Sequence, residues 1–91
     1  MRGMEGHSHI SPDVLARYAA DAAAEVPGVH TKQRRGARVS GSEVEVHVVV
    51  DYGADIPQVA TEIQRRVHEY LGQMANVSPS AVHVVVEDVQ R

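Results

Sequence analysis

The chain contains no cysteine. That absence excludes a disulfide scaffold, an iron–sulfur site, thiolate catalysis and every thiolate zinc finger. Tryptophan and phenylalanine are missing too, and aromatic mass is limited to three tyrosines. A core built mainly from valine and alanine is therefore expected to be thin. No stretch approaches the ~18 apolar residues needed to span a bilayer. The first six residues run into polar His7-Ser8-His9 without an apolar run that could serve as a signal peptide. The resulting expectation is a cytoplasmic protein with no direct membrane insertion, reaching a membrane only peripherally. An excess of positive charge is also lacking: nine Lys and Arg stand against twelve Asp and Glu, a formal net charge of −3. Phosphate neutralisation needs the opposite balance, which disfavours nucleic acid as the main partner. There is no Gly-rich phosphate loop, no HExxH, no nucleophile motif and no carboxylate pair in a recognisable frame. Neither an enzyme nor a cofactor-binding protein is expected.

With 91 residues there is room for one domain over 1–91, its first six residues expected to be flexible. A domain this small, without disulfides or metals, often gains missing burial by self-association, so a homo-oligomer is a reasonable expectation.

Ile10-Ser11-Pro12-Asp13-Val14 reads as a helix start, with Ser11 as cap, Pro12 in the first turn and Asp13 complementing the dipole. Leu15, Tyr18, Ala19, Ala22 and Val26 recur at helical spacing, and Val26-Pro27-Gly28 ends the element. The alanines make its buried face shallow, suited to close approach to a sheet. Residues 30–38 carry Lys32, Arg34, Arg35 and Arg38 without an acidic residue and read as a basic loop. Residues 37–40 and 43–52 predict a hairpin about Gly41-Ser42. In its second strand Val44, Val46, Val48, Val50 and Tyr52 lie on one side, with Glu43, Glu45, His47, Val49 and Asp51 on the other. Asp55 and Gln58 then open a second helix in the manner of a capping box. Its stripe runs through Ile56, Val59, Ala60, Ile63, Val67, Tyr70, Leu71 and Met74. Ser78-Pro79-Ser80 leads into a last strand with Val82, Val84 and Val86 on one side. If residues 7–10 pair as a short first strand, the order is βαββαβ. That order describes an α+β domain: a small sheet of three or four strands with two helices packed on one face.

Two phrases resemble the alkaline shock protein family, the Asp/Gls-type envelope stress response proteins. One is the helix opening from Ile10-Ser11-Pro12 through Val26-Pro27-Gly28-Val29. The other, more specific, is the joint Val48-Val49-Val50-Asp51-Tyr52-Gly53-Ala54-Asp55-Ile56-Pro57. Val82-His83-Val84-Val85-Val86 is similar to the family's closing strand, so the resemblance covers most of residues 10–89. It implies a non-enzymatic bacterial protein linked to cell-envelope or alkaline stress, with protein partners that include, for some members, a separate membrane-anchor protein. Between Val29 and Ala37 this chain departs from longer members, which often carry a glycine-rich segment there.

Four constellations each carry two readings. His7 and His9 share one side of an extended strand, which seeds a metal site if a third ligand arrives and otherwise is a polar terminus. His47, Val49, His83 and Val85 face outward, either as a solvated sheet surface or as a docking face for a second copy or a partner. Lys32, Arg34, Arg35 and Arg38 form either a solvated loop or a contact for an anionic lipid surface, an acidic protein surface or, least favoured, RNA. Asp51 and Asp55 read as a strand end and a helix cap, against an acid/base pair. The competing function is a small RNA- or ribosome-associated α/β module, disfavoured by the absence of an aromatic stacking pair and of net positive charge.

Overall fold

The computed structural model describes residues 10–31 and 36–91. Two helices and four strands follow in the order α1 (Pro12–Ala24), β1 (Val29–Thr31), β2 (Ala37–Ser40), β3 (Glu43–Asp51), α2 (Ile56–Ala75) and β4 (Ala81–Gln90). The architecture is α+β, with both helices on one face of a four-stranded sheet, as expected. Among the described residues the first strand is β1, whose His30 and Thr31 fall in the segment that composition alone read as basic loop. The strand expected over residues 7–10 lies outside the described residues, apart from Ile10, which is not in a strand.

β3 organises the sheet. Its five odd-numbered residues face outward and its four valines, Val44, Val46, Val48 and Val50, are at most 2% exposed. β4 runs parallel to β3 along its whole length, with a bulge that leaves Glu87 as an extra residue between Val48↔Val86 and Val49↔Asp88. The opposite edge is shared end to end by two antiparallel strands, β1 against residues 48–50 and β2 against residues 43–46. From Thr31↔Val48 to Ala37↔Val46 the edge advances six residues while β3 steps back two, so the register shifts by four. The β2–β3 hairpin closes through Gly41-Ser42, with Gly41 at φ +61 in the first central position, where a II′ turn demands a residue free to be left-handed.

α1 begins as its sequence predicts: Ser11 Oγ accepts from the Val14 N–H at 3.2 Å. Ala19, Ala22 and Ala23 are buried, so the helix axis sits close to the sheet. α2 begins at Asp55, whose Oδ1 accepts from the Gln58 N–H at 3.3 Å. Ile63, Val67 and Leu71 are fully buried, whereas Ile56 and Met74, at the ends of the same stripe, are exposed because the helix extends past the sheet it covers. Asn76, left-handed at φ 55, ends the helix. Tyr52, assigned by period to the buried side of β3, is instead 65% exposed, beyond the last paired residue, with the Arg91 guanidinium 4.5 Å from its ring centroid.

The helices hold each other by side chains of both kinds. Tyr18 meets Tyr70 edge to face at 5.8 Å between centroids, an arrangement worth about 0.5–1.5 kcal/mol beyond buried area. On the solvent side Arg65 and Arg66 both donate to Glu62, and Arg66 reaches Glu25, the C-cap of α1, at 3.4 Å. The hydrogen bonds from Arg65 and then Arg66, reinforced by their charges, hold the Glu62 carboxyl below the usual carboxylate range against a smaller desolvation effect.

Candidate interaction face

The sheet face away from the helices is built by the alternation of β3. Because Val44, Val46, Val48 and Val50 turn inward, Glu43, Glu45, His47, Val49 and Asp51 must turn outward. Register then fixes their neighbours. Glu45 lies opposite Arg38 on β2 and His83 on β4, His47 opposite Val85, and Val49 opposite His30 on β1. The four residues singled out from sequence, His47, Val49, His83 and Val85, thus share this face on two adjacent strands.

The structure adds a feature that the sequence pattern did not reveal: three outward histidines each meet a carboxylate. His30 Nε2 donates to Asp51 Oδ1 at 2.9 Å. His47 Nδ1 donates to Glu87 Oε2 at 2.8 Å, with its Nε2 3.5 Å from Glu45 Oε1. His83 Nε2 reaches Glu43 Oε1 at 3.3 Å. His47 is the most enclosed, its side chain 23% exposed. The pairs cross from β3 to β1 and β4 and so depend on strand register. His30 was missed because the basic residues after it dominate the segment, although Val29-His30-Thr31 carries a short β-branched alternation.

With the histidines counted as neutral, Glu43, Glu45, Asp51 and Glu87 against Arg38 leave these charges at −3. Val49 and Val85 are half-buried between the pairs. The hollow lined by Arg38, Ser40, Glu43, Val44, Glu45 and His83 is shallow and open to solvent.

Of the basic cluster, Arg38 is described: it is exposed on β2, 4.0 Å from Glu45 Oε1. Lys32, Arg34 and Arg35 lie outside the described residues, as do His7 and His9. Among the described residues no group of three or more His, Asp or Glu is arranged to hold a metal ion. No described helix is long and apolar enough to cross a membrane. Asp51 is paired with His30 and Asp55 caps α2, which accounts for both aspartates structurally.

The chain is similar over 93% of its length to YqhY of Bacillus subtilis (strain 168), a protein described as uncharacterized, at 26% identity over 105 residues covering 78% of that relative. Its fold is similar to the solved structure of MamM-CTD H264A, with a TM-score of 0.50 and 24% identity over 86% of this chain and 98% of that one. Residues 32–91 match the model of the alkaline shock protein 23 family, described as having a cell envelope-related function. The chain belongs to that family of non-enzymatic, cell envelope-related bacterial proteins.

Proposed function

We propose that this protein acts as a cytoplasmic scaffold or adaptor in the cell-envelope stress response, docking a protein partner on the open face of its sheet. The observation that carries the reading is the row of three histidine–carboxylate pairs around Val49 and Val85. Apolar side chains framed by polar groups are the usual make-up of a reversible protein–protein contact. The prevailing negative charge of the face fits a partner that offers basic groups around an apolar centre. A membrane-anchor protein with such a surface would hold the chain peripherally at the inner face of the membrane. Lys32, Arg34, Arg35 and Arg38 are a second, weaker contact in this reading, for an anionic lipid or acidic protein surface.

Affinity capture from the native host, with and without membrane solubilisation, tests the proposal. The wild-type chain is expected to retain a partner that a Val49→Lys/Val85→Lys variant of unchanged fold releases. Equal recovery by both would remove the open face from the interaction. Loss of the partner only in high salt, with the wild type and the variant alike, would point to the basic segment instead.

A further inference from the structure

The sheet ends at β4, beyond which no strand lies among the described residues. The ladder determines which main-chain groups that edge presents. The Asp51 N–H donates to the Gly28 carbonyl at 2.9 Å and the His47 N–H to the Gly36 carbonyl at 2.8 Å. Odd-numbered residues of β3 therefore direct their main-chain groups toward the β1 and β2 side, and even-numbered ones toward β4. In a parallel ladder each such residue bonds to the two residues that flank its register partner. With Val44 opposite Val82 and Val46 opposite Val84, those residues are Ala81, His83 and Val85. Val82, Val84 and Val86 consequently turn N–H and C=O away from the sheet.

Two side chains occupy the ends of this edge. Gln64 Nε2 of α2 donates to the Val82 carbonyl at 3.1 Å, and beyond the bulge Asp88 Oδ1 accepts from the Val89 N–H at 2.8 Å. Between them the main chain of Val84 and Val86 stands in the geometry of an unpaired strand. Soluble proteins usually blunt such an edge with lysine, proline or other charge. Residues 81–86, Ala-Val-His-Val-Val-Val, contain no Lys, Arg, Asp, Glu or Pro.

We propose that β4 pairs antiparallel with β4 of a second copy of this chain, about a twofold axis close to Val84. The charge pattern selects both the occupant and the direction. A parallel, in-register copy would set Glu87 and Asp88 against the same acids of its partner. An antiparallel copy centred on Val84 sets each pair of acids beside the uncharged start of the other strand. It also brings Glu87 of one copy diagonal to His83 of the other, within reach of long side chains. On the helix side Val82 of one chain then meets Val86 of the next, which extends the buried valine layer across the junction. An edge of six residues is about 20 Å long at ~3.3 Å per residue. Pairing along that length alone buries less than the ~1,200 Å² of a standard stable interface, so the dimer is reversible and concentration-dependent.

Sedimentation velocity over a hundredfold concentration range, paired with amide hydrogen exchange read residue by residue, tests this. The expected result is a mass that moves from one chain toward two, with exchange at Val84 and Val86 slowing at least tenfold as it does. Val84→Pro removes an outward N–H while leaving the β3 ladder intact, a substitution that edge strands tolerate. It is expected to remain monomeric throughout with an unchanged far-ultraviolet circular dichroism spectrum. Should that variant fail to fold, the wild-type exchange data decide. A single-chain mass at every concentration overturns the proposal. So does a dimer whose Val84 and Val86 exchange ignores concentration, which would place the contact on another surface. Slow exchange at both positions in the monomer would do the same, because another part of the chain would then hold the edge. A folded Val84→Pro that dimerises like the wild type is equally fatal.

Discussion

Leu71 and Ile63 are fully buried in a core without tryptophan or phenylalanine, so each supplies an unusually large share of its volume. Leu71→Ala is expected to cost about 2–5 kcal/mol, toward the upper part of that range because small neighbours cannot collapse into the cavity. Urea unfolding with an unchanged m-value checks it. Glu62 carries a different prediction. Its folded carboxyl is held low by Arg65 and Arg66, so the stability it contributes is present above the ordinary carboxylate value of 4.5 and is lost as pH falls through the lower folded value. The wild type should therefore melt above Glu62→Gln at pH 6, with the two curves converging as pH drops toward 3, as read by thermal unfolding across that range. A constant gap at every pH would mean that the carboxylate charge is not what Glu62 contributes.

At the scale of elements, α1 approaches the sheet through Ala19, Ala22 and Ala23. Ala22→Leu is expected to destabilise by about 1–3 kcal/mol, because the added methylenes must push the helix from the valine layer. Thermal unfolding compared with Ala24→Leu, at an exposed position of the same helix, separates overpacking from any change in helix propensity. Both helix starts were legible as Ser11-Pro12 and Asp55-Ile56-Pro57, since a cap is a local hydrogen bond between residues three apart. The hairpin was legible for the same reason. β1 was not: its three residues form a strand because β3 offers them an edge, and a strand so short carries little periodicity of its own. The ends of the α2 stripe, Ile56 and Met74, were expected to be buried and are exposed, because periodicity reports which side of a helix is apolar and not how far the sheet beneath it extends.

For the molecule as a whole, the open sheet face and the β4 edge are separate surfaces, one made of side chains and the other of main chain. His30, His47 and His83 meet Asp51, Glu87 and Glu43 across strand boundaries, so the polar frame of the face depends on all three. A triple His→Gln variant is expected to weaken capture of the partner several-fold, measured by titration calorimetry on the partner once isolated, whereas unchanged affinity would assign recognition to Val49 and Val85 alone.

The amino-acid order alone determined the two helices, the inward valines of β3 and β4, the hairpin and the family resemblance. These rest on caps, turns and periods that act within a few residues of one another. The residues that share the outward face were also legible, because alternation along a strand is a local rule. Only the tertiary structure decided that β1 and β2 share one edge of β3 and that β4 lies parallel on the other. From that pairing follow the three histidine–carboxylate contacts and the main-chain groups of Val84 and Val86 at the open edge. Such features depend on the register between strands up to about forty residues apart, and register is set when the whole valine layer packs under both helices.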